Sequence, residues 1–104
     1  MREMDEQIRD LLEKTRRTRY EFLKAELQTC NIALDLAKFE LSVDNTEVAE
    51  KEVRAIEKGI SVLERFLPEM PQGDPRRDVE AKLAELKSDF EPVRVEVQVR
   101  RAGE

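Results

Sequence analysis

The sequence contains no histidine and no tryptophan, one cysteine (Cys30), three glycines and four prolines. Without histidine, the commonest general base and the commonest transition-metal ligand are missing. A di-iron carboxylate bundle, which needs Glu-x-x-His motifs, is excluded outright. A lone cysteine forms no internal disulfide and gives no sign of an oxidising compartment. The glycines are isolated, and none belongs to a GxGxxG or GxxxxGK phosphate loop. No apolar run approaches the ~18 residues that a membrane span needs. The first residues, MREMDEQIRDLLEK, alternate charges where a signal peptide would carry an apolar segment. A cytoplasmic location is the default expectation.

What is abundant is charge: 41% of the 104 residues are charged and 39% hydrophobic. The length is that of one domain with one modest core. Nineteen basic against 24 acidic residues leave a net charge of −5, which gives no general support to nucleic-acid or anionic-membrane binding. So charged a chain fits either disorder or long helices with charged faces. The tight periodicity of its apolar residues decides for helices.

A first helix is predicted from about Glu3 to about Leu41 or Ser42, uninterrupted by Gly or Pro. Met4, Ile8, Leu11 and Leu12 make one stripe in its first portion. The stretch Lys14–Arg19 carries no apolar side chain, so it is either a solvated part of the helix or a break. Arg and Lys favour helix, and continuity is expected. Beyond it, Tyr20, Leu23, Leu27, Cys30, Leu34, Ala37 and Leu41 recur at intervals of 3 and 4. So do Phe22, Ala25, Thr29, Ile32, Leu36, Phe39 and Val43. At about 100° per residue the two stripes fall on roughly opposite sides. A helix apolar on both sides needs cover on both, and one hairpin partner supplies only one.

Val43–Thr46 reads as a turn in which Asp44, Asn45 or Thr46 can cap the next helix, and Asp44 with Glu47 has the spacing of a capping box. A second helix follows from about Glu47 to Leu67, with Ala49, Val53, Ile56, Ile60, Leu63 and Leu67 as its stripe and Pro68 as its stop. Residues 68–73 are dense in turn formers, and Asp74-Pro75 reads as N-cap and first helical position. A third, shorter helix carries Val79, Leu83, Leu86 and Phe90 and is expected to stop before Pro92. The segment Val93–Arg100 alternates strictly, with Val93, Val95, Val97 and Val99 on one face, which is a strand pattern. The expected fold is therefore all-α: a long antiparallel hairpin plus a short third helix over residues 1–91, then an extended or disordered tail over 92–104. Nothing else in the chain reads as a strand. The tail either pairs with its symmetry mate, adds to another protein's sheet edge or lies disordered, and pairing between two copies is the expectation.

The chemistry on offer is thin. Carboxylates close in sequence, such as Glu47 with Glu50 at helical spacing or Asp78 with Glu80 two residues apart, are what so acidic a chain supplies by chance, and they read as solvated faces. Cys30 sits within an apolar stripe, where cysteine behaves as a small hydrophobe. Lys14, Arg16, Arg17 and Arg19, with Tyr20 beside them, form the one candidate for a phosphate backbone, while Arg76-Arg77 reads as surface decoration. No catalysis, cofactor or metal is expected.

Residues 30–63 resemble one tetratricopeptide repeat unit. Leu36 and Ala37 stand at its Leu and small positions, Ala49 at the small position of its second helix, and Asp44-Asn45 at its Gly-Asp turn. Glu40, Ile56 and Ser61 depart from the pattern at an aromatic, a small and a proline position. The resemblance implies a helical hairpin and, in a repeat array, partner binding. The layout is also similar to that of small bacterial helical proteins, a likeness that implies no activity.

The function expected is association through helical faces, most simply as a homodimer through Phe22, Ile32, Leu36, Phe39 and Val43. The alternatives are a tetratricopeptide-like partner-binding adaptor and a small nucleic-acid-associated regulator using Lys14–Arg19.

Overall fold

A computed structural model describes residues 2–104, with side chains from Asp5 onward. It is all-α and elongated, with extents of 68 × 19 × 17 Å. Helix α1 spans Arg2–Ser42, α2 spans Thr46–Phe66 and continues into a 3-10 turn at Leu67–Glu69, and α3 spans Asp74–Ala102. No strand occurs among the described residues.

Helix α1 is continuous through Lys14–Arg19, as the helix-forming propensity of Arg and Lys predicts. Its stripe Leu23, Leu27, Cys30, Leu34, Ala37 and Leu41 is buried, with Tyr20 partly so. The α2 stripe Ala49, Val53, Ile56, Ile60, Leu63 and Leu67 is buried against it. Gly59 lies in the same interface because the helices close on each other there. A Cβ on Gly59 would run into the Cys30 thiol.

The α1–α2 turn departs from the capping-box expectation. Asp44 adopts φ 59°, the left-handed region, the Asn45 amide donates to the Glu40 carbonyl at 2.8 Å, and the Asp44 amide donates to the Leu41 carbonyl at 3.2 Å. These two bonds make a Schellman closure of α1, with Asp44 where glycine is usual. Asn45 precedes α2 without a side-chain cap. The Asp44 carboxylate is drawn instead to Arg100, 3.4 Å away. At the start of α3 the cap falls on Gly73, one residue before the expected Asp74. Gly73 has φ 149°, a conformation that side chains rarely adopt.

The larger correction concerns the C-terminus. Helix α3 does not stop before Pro92 but runs to Ala102, so residues 92–104 form neither a strand nor a separate tail. Val93, Val95, Val97 and Val99 do not share a face: Val93 and Val97 are buried, while Val95 and Val99 are exposed. Pro92 lacks the amide that would bond the Ser88 carbonyl, a defect worth about 3 kcal/mol in a helix interior. The compensation is packing. Val79, Leu83, Leu86, Phe90, Val93 and Val97 form one buried stripe at intervals of 4 and 3 that passes straight through Pro92. Burial of the two valines contributes roughly 3–6 kcal/mol. Arg100 then ties the helix down, donating to the Leu41 carbonyl at 3.0 Å, and Arg101 pairs with Glu50 at 2.5 Å.

Candidate interaction surface

Helix α1 has two sides with different fates. While one side is buried by α2 and α3, Phe22, Ile32, Leu36, Phe39 and Val43 remain between 45% and 59% exposed. Phe22 is the best supported of these, its ring meeting Phe66 edge-on at a centroid distance of 6.1 Å. The others face outward. Ile8, Leu11 and Leu12 are exposed as well.

These residues belong to one line. Ile8, Leu11, Thr15, Thr18, Phe22, Ala25, Thr29, Ile32, Leu36, Phe39 and Val43 follow at intervals of 3 and 4, all exposed, with no charged residue among them. That is a heptad seam, with Ile8, Thr15, Phe22, Thr29, Leu36 and Val43 at a positions and the rest at d. Met4 extends the spacing in sequence, but its side chain lies outside those described. Reading for apolar residues alone stops at Lys14–Arg19 and misses the continuity, because Thr15 and Thr18 carry the line across it. Thr15 turns its hydroxyl back onto the Leu11 carbonyl at 2.9 Å, which satisfies the polar atom within the helix.

The buried stripe behaves differently. Continued backward from Tyr20 at the same spacing it meets Arg16, Glu13 and Arg9, all charged. Every side chain described from Asp5 to Arg19 is exposed. The N-terminal third of α1 therefore overhangs the three-helix core, and its apolar face continues the outward seam, not the buried stripe. An isolated helix of this length is marginal in water.

The other candidates hold little. Lys14, Arg16 and Arg17 project from the overhang, but Arg19 is engaged at the core, donating to the Glu69 carbonyl at 3.4 Å with the Glu69 carboxylate 4.0 Å away. Tyr20 donates to the Asp78 carboxylate at 3.5 Å, and Asp78 also pairs with Lys82. Glu50 is bonded to Arg54 and Arg101, and Glu80 to Arg76, so these carboxylates serve as ion-pair partners. Arg76 also donates to the Met70 carbonyl, while Arg77 pairs with Asp74. Cys30 is free and buried, and burial first, then the Glu26 carboxylate, push its thiol above the usual value. Both effects hold back the thiolate that nucleophilic chemistry needs.

No group of three or more metal-ligating side chains converges among the described residues. The depressions on the surface are open; one runs beside the seam between Glu21, Gln28, Asp35 and Lys82. Among the described residues no helix is long and apolar enough to cross a membrane. Compared with known proteins, the chain matches no family model, no curated protein and no solved structure.

Proposed function

We propose that this protein acts by association through the outward face of α1, in the first instance with itself as a homodimer. The observation that carries the reading is the seam. Phe22, Ile32, Leu36, Phe39 and Val43 stay exposed on a helix whose opposite side is covered from Tyr20 to Leu41, and their line runs on into an overhang with no cover of its own. Exposed apolar area on this scale, bordered by charge, marks an interaction surface. A symmetric pair is the simplest way for one chain to cover it. The protein is then a binding and assembly module without catalysis. Its free, buried thiol suits a reducing compartment such as the cytoplasm. A nucleic-acid role has less support, since the basic run sits on an acidic protein and Arg19 is held by Glu69.

Sedimentation equilibrium on the intact chain tests this directly, and a dimer at micromolar concentration is expected. Leu36→Glu with Phe39→Glu places charge on two adjacent seam positions that make no part of the buried core, so the variant should be a folded monomer. A wild-type protein that stays monomeric at high micromolar concentration would overturn the reading.

A further inference from the structure

Resting on the self-association just proposed, we infer that the two copies pair antiparallel along the whole of α1, each overhang lying on the hairpin end of the other. The inference comes from the side chains that flank the seam. In a two-stranded coiled coil, the charged residues beside the a and d positions select the orientation.

In a parallel, in-register pair, each g residue meets the following e residue of the partner helix. Gln7 with Leu12 and Gln28 with Ala33 carry no charge, and the charged pairs are Lys14 with Arg19, Glu21 with Glu26 and Asp35 with Glu40. Every charged pair is like-charged, and each occurs twice by symmetry. In an antiparallel pair, g meets g and e meets e. The register that overlaps the full seam places the two-fold axis between Leu23 and Lys24. It sets Lys14 against Asp35 and Arg19 against Glu26, both oppositely charged, and Glu21 against the neutral Gln28. Asp5 with Glu40 is the one like-charged pair, and it falls at the outer ends of the seam.

The seam residues agree with this orientation. In the antiparallel register Phe22 lies against Ala25 at the crossing point, large against small. Leu11 lies against Leu36 and Ile8 against Phe39, so the apolar side chains of each overhang meet exposed apolar side chains of the hairpin end. A parallel pair would stack Phe22 on Phe22 and Phe39 on Phe39 and leave Ala25 facing Ala25. Alternation of large and small residues packs a core better than layers of like size.

The area suffices. At 1.5 Å per residue α1 is about 60 Å long, and a contact strip about 10 Å wide covers roughly 600 Å² per copy, within reach of a specific interface. The intramolecular fold leaves the strip open along its length. Phe66, packed edge-on against Phe22, stands at its border.

Two measurements on the full chain test the orientation separately from association itself. The first is charge reversal, read as the dimer dissociation constant. Lys14→Glu alone and Asp35→Lys alone should each weaken an antiparallel dimer roughly fivefold, and the two together should restore it. In a parallel dimer the signs invert, because Glu at 14 would meet Arg19, Lys at 35 would meet Glu40, and each single variant would tighten the pair. The second is a spin-label distance from Glu6→Cys in a Cys30→Ala background. The two labels should lie about 50 Å apart if the helices are antiparallel and roughly 20–25 Å apart if parallel. A dimer with the short distance, or with constants unmoved or tightened by the single reversals, overturns the antiparallel register while leaving self-association standing. A monomer at high micromolar concentration overturns both.

Discussion

Cys30 on α1 and Gly59 on α2 meet across the hairpin, with the thiol filling the space that a side chain at 59 would occupy. The contact sets how closely the two helices approach. Gly59→Ala should therefore destabilise the fold by about 1–2 kcal/mol. Overpacking of this kind typically costs about 1–3 kcal/mol and outweighs a helix-propensity gain of up to about 1 kcal/mol. Combining it with Cys30→Ala should recover much of the loss, because the added methyl then enters the space that the sulfur vacates. Urea unfolding of the two single variants and the double variant reads the coupling. Additive losses would mean that the two residues do not share that space.

The same burial makes Cys30 a poor nucleophile. Its thiol is held above the ordinary value by desolvation and then by the Glu26 carboxylate, so the native state keeps its proton where the unfolded chain has released it. The sign follows from linkage: this contribution is complete below the ordinary thiol range and is lost as pH rises through the raised folded value. Stability should therefore decline in the alkaline range, and Cys30→Ala should flatten that decline. At neutral pH a thiol-specific alkylating reagent should modify the native protein slowly and the urea-unfolded chain rapidly. Equal rates in the two states would show that the site is open.

At the far end of the molecule, Arg100 binds the Leu41 carbonyl at 3.0 Å and approaches Asp44 at 3.4 Å. It places a cation where the α1 macrodipole is negative and unpaired carbonyls collect. Arg100→Ala should cost about 1–2 kcal/mol, on the scale of a partly exposed charged hydrogen bond with a dipole contribution. Removing residues 92–104 should cost much more, since Val93 and Val97 leave the core with it. Thermal unfolding of both variants checks the order of the two losses. If the truncation melts with the intact protein, the end of α3 contributes nothing to the core.

That C-terminus shows where the sequence was legible and where it misled. Residues 93–100 satisfy two patterns at once, alternating valines with period two and a 4–3 stripe continuing from Val79 through Phe90. A proline and a β-branched run favour the strand when read locally. The surface that α1 and α2 offer to Val93 and Val97 exists only once the chain has folded, and it decides for helix. The paired stripes of α1 and the α2 stripe needed no such context, because spacing alone separates the buried face from the exposed one. At the candidate interaction surface the difficulty was chemical. Thr15 and Thr18 are seam residues in spacing but not in hydrophobicity, so the exposed line looked like two fragments separated by a basic run.

The overhang supplies a test of what that line is for. Residues before Thr18 contribute no side chain to the buried core, which begins at Tyr20 and Leu23. A chain starting at Thr18 should therefore keep its three-helix core and its cooperative unfolding, losing only the helical signal of the missing residues. Association should suffer far more. In the antiparallel pair the truncation removes Ile8 and Leu11 from both copies and leaves Leu36 and Phe39 of each uncovered. The dimer should weaken roughly a hundredfold or more, given the apolar area lost. A parallel dimer would keep every layer from Phe22 to Val43 and weaken only modestly. Sedimentation of the truncated protein beside the intact one separates the cases. An unchanged dissociation constant would remove the overhang from the interface and the antiparallel register with it.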